Sequence, residues 1–281
     1  MNGLFPNSLY TIHQGKSGGR GLSPRLWTNV DGQALSPDGL SNMFFSDDDF
    51  NNFGAIAPGI SGTTSGVSNG YGYYVDTATS ACTIQQKAEK GGVVRFTTGA
   101  TDNHEAWLQA GGNTGSSYVV DTSSPSLLIW EARVKIGSIS IGNYFAGLME
   151  EARAAADTIT DAGALADKDL LGFWVLEGAP TSLKYGYRVS GGSVVAVGSY
   201  TVAASTWYKL GLIYNPKAPA AKRIKFFIDN TEQTSYVTST VASGSTFPTG
   251  QVMSSTFGVK NSSAASITMD VDWYGVGQDG Q

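Results

Sequence analysis

Cysteine is almost missing from this 281-residue sequence: Cys82 stands alone, so no intramolecular disulfide can form and the chain is not a stapled secreted domain. Histidine is nearly as scarce, with His13 and His104 only. A Ser-His-Asp or Cys-His centre needs an imidazole beside its nucleophile, and Cys82 in Ala81-Cys82-Thr83 has no such local partner. It reads as a small buried thiol, and His104 as a loop histidine. Two His and one Cys far apart also lack the close ligand pairs of a structural zinc site. Charged residues are few, at 15%, with a net charge of −5 and no Lys/Arg run, which excludes a nucleic-acid footprint. No apolar run reaches the roughly 18 residues of a membrane-spanning helix. Met1 to Lys16 lacks the basic-then-apolar pattern of a secretory signal, which points to synthesis in a cytosol. Gly59 to Gly72 is glycine-rich but lacks the Gly-Lys-Ser/Thr ending of a phosphate loop.

What is plentiful is glycine, at 36 residues, beside many Ser and Thr and a 41% hydrophobic fraction. That balance suits a turn-rich, all-β globular chain rather than a helical bundle. A chain this long buries roughly 75% of its unfolded surface, enough for a large core. Two regions are expected: an extended arm over residues 1–45 and a β-sandwich domain over 46–281. Pro6, Pro24 and Pro37, with turn signals at Gly18-Gly19-Arg20-Gly21 and Ser36-Pro37-Asp38-Gly39, mark the arm. Its apolar residues Leu4, Phe5, Leu9, Tyr10, Ile12, Leu26 and Trp27 suggest that it lies against its own domain or a neighbour.

Beyond the arm the chain reads as short strands between turns. Leu128, Trp130, Ala132, Val134 and Ile136 alternate with Ile129, Glu131, Arg133 and Lys135, the period-two pattern of a half-buried strand. Ile267, Met269, Val271 and Trp273 alternate in the same way with Thr268, Asp270, Asp272 and Tyr274. Val93–Thr97, Leu171–Glu177, Trp207–Tyr214, Ile224–Ile228 and a short Phe257–Lys260 complete the main strands, and Gly191-Gly192 marks a hairpin. Met149 to Asp157 alone has high helix propensity, which predicts a turn or short helix within an excursion over residues 150–168. Many short strands at this spacing predict a sandwich or barrel.

The chemistry-bearing groups are sparse. Asp270 and Asp272 share a strand face, as paired carboxylates of a glycosidase would, but the next residue on that face is Tyr274 rather than a third acid. A solvated outer strand face is the expected role for the pair. Asp47-Asp48-Asp49 with Asn51-Asn52, and Asp102-Asn103 with Glu105, are oxygen-rich enough for a structural Ca²⁺, though neither matches an EF-hand loop. No catalytic residue, cofactor site or metal ligand set is assigned. Tyr71, Tyr73 and Tyr74 cluster in Gly70-Tyr71-Gly72-Tyr73-Tyr74 and suit core packing, a partner interface or a sugar platform. Trp107, Trp130, Trp174, Trp207 and Trp273 are expected in the core.

Thr206-Trp207-Tyr208-Lys209-Leu210-Gly211-Leu212-Ile213-Tyr214, a turn, then Ile224-Lys225-Phe226-Phe227-Ile228-Asp229-Asn230 resembles the paired strands of concanavalin A-like and laminin-G-like jelly rolls. Asn230 stands where that family commonly has Gly, and both tolerate the positive φ of a tight turn. The resemblance implies an all-β concanavalin A-like jelly-roll sandwich. The laminarinase-type Glu-x-Asp-x-(x)-Glu strand is absent, so that activity is not implied. Phe96-Thr97-Thr98-Gly99-Ala100-Thr101-Asp102-Asn103-His104-Glu105-Ala106-Trp107-Leu108-Gln109 and Thr160-Asp161-Ala162-Gly163-Ala164-Leu165-Ala166-Asp167-Lys168-Asp169 are similar to segments of tailed-bacteriophage structural proteins. That similarity implies a non-enzymatic virion component, such as a head decoration or cement protein. Its implied partners are a major capsid protein and further copies of itself, as a homotrimer. The apolar arm residues and the tyrosine cluster would form the interface. The alternative reading is a carbohydrate-binding module, with a glycoside hydrolase behind it.

Overall fold

A computed structural model describes residues 23, 26–27, 43–51, 53, 64–68, 70–76, 82–89, 92–111, 115, 118–123, 126–150 and 157–279, with backbone alone for 43–47 and 64–67. Two antiparallel sheets face each other. Sheet A holds β1 (Met43–Asp48), β4 (Thr83–Gln86), β5 (Val94–Thr97), β8 (Leu128–Ile136), β13 (Thr206–Tyr214), β14 (Ile224–Ile228), β15 (Thr231–Glu232) and β17 (Thr268–Asp279). Sheet B holds β2 (Thr64–Ser68), β3 (Tyr71–Val75), β6 (Glu105–Ala110), β7 (Tyr118–Val119), β9 (Gly142–Glu150), β10 (Leu170–Val175), β11 (Ser182–Arg188), β12 (Val195–Thr201) and β16 (Val252–Asn261). The order in sheet A is β15-β14-β13-β8-β17-β5-β4, with β1 also on β17. In sheet B it is β12-β11-β10-β9-β16-β6-β3-β2, with β7 also on β16. This is the expected jelly-roll sandwich.

The inward residues of both sheets interdigitate around Trp130. Its ring lies 6.2 Å from Phe173 and 6.1 Å from Phe257, both on the facing sheet, and Phe173 meets Phe226 edge-on at 5.8 Å. The period-two reading of β8 holds: Leu128, Trp130, Ala132, Val134 and Ile136 all enter this core. The paired strands β13 and β14 meet in the expected register, Leu210 opposite Ile228. Their chain reversal places Asp229 at φ 49° and Asn230 at φ 61°, the left-handed region that Asn tolerates better than most residues.

Four elements depart from expectation. In β17, Val271 faces Val134 and Trp273 faces Arg133, so Asp272 is an extra residue against β8. This bulge reverses the alternation: Tyr274 and Val276 enter the core with Met269 and Val271, while Trp273 does not. The strand expected at Phe257–Lys260 is ten residues long, because Ser254, Ser255 and Thr256 are buried despite their polarity. Met149 and Glu150 continue strand β9 rather than open a helix, since both pair across to Ser254 and Met253 of β16. Of the rest of that expected helix, residues 151–156 lie outside the described residues, and Asp157 sits in a turn at φ 57°. Finally, β1 reaches back to Met43 and pairs with Asp279 of β17, so the last arm residues are part of sheet A.

Candidate functional site

The outer face of sheet B is where chemistry-bearing residues gather. Strand parity turns Ala106 and Leu108 of β6 inward, so Glu105, Trp107 and Gln109 face outward. Beside Trp107 stand Tyr74, Phe145, Met149, Leu170 and Trp174, and all are buried. They are covered by the chain itself. Ile159 and Leu165, bridged to each other in the 157–168 segment, complete this second apolar cluster. Gly258 lies opposite Trp107, and any Cβ there would stand 1.9 Å from the ring, so the indole lies flat on bare backbone. Burying one large apolar side chain is worth about 1.5–3 kcal/mol, so this cover is firmly held.

The polar rim of the face is equally engaged. Glu105 Oε2 accepts from Trp107 Nε1 at 2.8 Å and Oε1 accepts the backbone N–H of Asp157 at 2.7 Å. Lys260 Nζ donates to Asp157 Oδ1 at 2.8 Å and to Asp161 Oδ1 at 2.6 Å. Burial raises the Glu105 carboxyl to about 7, against the pull of the Lys260 charge and the two N–H donors. Gln109 donates to the Glu150 carbonyl and to Thr256 Oγ1, each at 2.8 Å. The 157–168 segment is therefore fastened to sheet B by apolar packing and by charge.

The outer face of sheet A carries Asp270 and Asp272. Neither is the solvated acid expected: both are 1% exposed. Arg95 grips Asp270 with two hydrogen bonds of 2.6 and 2.9 Å, and Lys135 adds a contact at 2.7 Å. Burial alone would raise the Asp270 carboxyl, but the Arg95 and Lys135 hydrogen bonds and charges outweigh it and hold it below its ordinary value. Arg133 takes Asp272 at 2.6 Å and lies 4.2 Å over the Trp207 ring. Nearby, Glu131 is buried under the arm: its Oε2 accepts from Ser23 N at 2.9 Å and Trp27 Nε1 at 2.8 Å.

Of the residues put forward for a partner interface, Leu26 and Trp27 are buried on this chain's own sheet A, Leu26 against Gly211 and Trp27 on Glu131. Tyr71 and Tyr74 are buried, the first in the main core and the second under the 157–168 segment, and Tyr73 is half-buried against the core. Their apolar surface serves the fold of this chain. Leu4, Phe5, Leu9, Tyr10, Ile12 and His13 lie outside the described residues. Of the tryptophans, Trp130 alone sits in the main core; Trp107 and Trp174 belong to the second cluster, and Trp207 lies half-buried on the outer face of sheet A.

Of the calcium candidates, the Asp47 side chain and Asn52 lie outside the described residues, and the described ones have other partners or point apart. Asp48 uses one oxygen for the Phe50 N–H and the other for the Tyr71 hydroxyl, and Asp102 is exposed while Glu105 turns to Trp107. Among the described residues no three His, Cys, Asp or Glu side chains converge as metal ligands. Cys82 is buried, accepts from the Gly99 N–H at 3.2 Å, and burial pushes its thiol up to about 11. His104 lies in the loop before β6, as expected, and is buried there, 3.9 Å from Asp76. The signal that sequence reasoning missed is Lys260, the one charged residue of β16, buried at 1% exposure.

These sheets, their order and their twin outer faces define a concanavalin A-like jelly-roll β-sandwich. No protein-family model and no curated protein sequence matches this chain. Among solved structures it is similar to a protein of unknown function from Shewanella oneidensis MR-1, with TM-score 0.53 and 15% identity over 88% of this chain and 90% of that one. It is also similar to the endo-β-1,3-glucanase from Pyrococcus furiosus, with TM-score 0.51 and 12% identity over 83% and 92%. Peanut lectin matches with TM-score 0.51 and 9% identity over 84% and 97%. The fold is thus shared by lectins and glucanases, and at these identities the likeness concerns the fold alone.

Proposed function

We propose that this chain is a non-enzymatic structural protein of a tailed-bacteriophage particle, a head decoration or cement protein docked on the capsid. The observation that carries this reading is the cover over the outer face of sheet B around Trp107. A glycosidase needs two carboxylates roughly 5–9 Å apart facing an open groove. Here Glu105 lies beneath the Asp157 backbone, and the Asp270 and Asp272 carboxylates are held by arginines on the other sheet. The segments similar to phage structural proteins are also the ones that meet: Trp107 and Leu165 share one apolar cluster. A sandwich whose sheet B is covered around Trp107 and whose outer acids are tied up in ion pairs offers rigid surfaces, which suits a subunit that must dock without reacting. Residues 1–22, together with the surfaces of the sandwich, would make the contact with a major capsid protein and with further copies, a trimer by analogy.

Immunogold electron microscopy of purified particles, with antibody to the recombinant chain, tests this. Dense label over heads is the expected result, and no label on any particle would overturn it. Residues Ser23, Leu26 and Trp27 belong to the domain, so the informative truncation removes residues 1–22 rather than 1–45; it should fold and lose particle binding. A second reading is a carbohydrate-binding module, supported by the fold shared with peanut lectin. It predicts hits on a glycan array through a surface other than the covered face. For either reading, incubation with laminarin should release no reducing ends.

A further inference from the structure

At one end of the sandwich, the loop after β7, the end of β13, the start of β14 and the one-turn helix Ser239–Ala242 enclose a cleft of about 350 Å³. Thr122, Tyr214, Pro216, Arg223, Ser239 and Thr240 line it. Arg223 is fixed by its backbone from both sides: its N–H donates to Val237 O at 2.9 Å and its carbonyl accepts from Asn215 N at 3.0 Å. Its guanidinium Nε is shielded from solvent and has no hydrogen-bond partner among the described residues. Arg223 as a whole is half-buried, but a shielded N–H without an acceptor is costly, and native structures rarely keep one without a ligand, ion or water to receive it.

The surroundings narrow the ligand. The neighbouring cation, Lys222, is directed at Tyr236, 3.3 Å from its hydroxyl and 4.5 Å from its ring, so among the described residues Arg223 is the one cation lining the cleft. A single guanidinium fits a singly charged carboxylate, which it can grip with two hydrogen bonds. Asp121 is the nearby acid; its Oδ1 accepts from Ser123 N and Oγ at 2.7 Å each. The Thr122, Ser239 and Thr240 hydroxyls both donate and accept, as polyol hydroxyls do. Pro216 supplies apolar surface for a ring face, and the buried Tyr214, whose hydroxyl donates to Asp121 O at 3.2 Å, forms the floor. Small-molecule pockets run from about 300 to 1,000 Å³, so this one suits one or two rings rather than a long chain.

We propose that this cleft binds a sugar acid, with Arg223 on the carboxylate and the Thr122, Ser239 and Thr240 hydroxyls on the ring. The site is independent of capsid docking: immunogold labelling can fail while this binding stands, and the reverse. The test is calorimetric titration of the full chain with glucuronate, glucose and sodium sulfate. Glucuronate should bind at least about tenfold more tightly than either of the others. Arg223→Gln should lose that binding, and so should Thr240→Trp, which fills the rim from an exposed position and leaves the core untouched. Unchanged circular dichroism in either variant shows that the fold is intact. No glucuronate binding, equal binding of glucose or sulfate, or full binding by both folded variants would overturn the proposal.

Discussion

Lys260 stands directly opposite Glu105 across β16 and β6, yet its ammonium lies 2.6 Å from Asp161, 2.8 Å from Asp157 and 3.9 Å from Glu105. The two aspartates are on the covering segment and their side chains reach solvent, whereas the Lys260 side chain is 1% exposed. The lysine thus reaches through sheet B's outer layer to its edge. Its strongest pairs fasten the 157–168 segment, and burial dominates at Glu105.

That arrangement gives a pH dependence with a definite sign. The folded Glu105 carboxyl titrates near 7, against an ordinary value of 4.5, so the folded state holds its proton more tightly than the unfolded chain does. Its contribution to stability is full below about 4.5 and is lost as pH rises through about 7. The loss is at most roughly 3 kcal/mol. Urea midpoints measured at about pH 5 and about pH 8 should fall for the wild type, and the fall should be smaller in Glu105→Gln. An identical fall in both proteins would show that Glu105 does not titrate there.

Gly258→Ala should cost about 1–3 kcal/mol, because the new methyl meets the Trp107 ring and the indole cannot shift without moving Tyr74 or Trp174. Equilibrium unfolding reads this directly. Tryptophan emission should also change, since Trp107 and Trp174 lie under the same cover.

Trp27→Phe keeps one aromatic ring but removes the indole N–H bonded to the buried Glu131, which together with the lost volume should cost at least about 1.5–3 kcal/mol. Limited proteolysis should then cut between Trp27 and Met43 sooner than in the wild type. Equal cutting would mean that the Glu131 contact does not hold the arm.

Asn230→Val should cost about 1–2 kcal/mol, since a β-branched residue resists the left-handed conformation at φ 61°. Asn230→Gly should be close to neutral. Thermal melts of the two variants separate backbone strain from any loss of side-chain contact.

Much of the sandwich can be read from the sequence, and its failures have local causes. The alternation in Leu128–Ile136 is unbroken, so its two faces are assigned correctly. In Thr268–Asp279 one inserted residue, Asp272, reverses the parity, and no composition signal marks that insertion. Ser254, Thr256 and Gly258 hide β16 because small polar residues rarely mark a central strand; they suit it here because a covering segment lies over that face. The pairing of Trp107 with Leu165, and of Lys260 with Asp157 and Asp161, joins residues 58 to 103 positions apart, beyond the reach of any periodicity. Asp270 and Asp272 look alike in sequence to a solvated pair, and only the placement of Arg95, Lys135 and Arg133 across the sheet makes them buried ion pairs.

The strands at the middle of both sheets, β16 and β17, come last in the sandwich. During synthesis the ribosome releases the flanks of each sheet well before the strand that joins them, so β9 waits for β16 and β8 and β5 wait for β17. Until about residue 279 has emerged, the nascent chain holds open sheet edges and an uncovered core. A chain cut short before β17 is complete would thus be an aggregation-prone fragment rather than a smaller sandwich. Only chains that carry β16 and β17 can close the two sheets, a form of quality control written into the strand order.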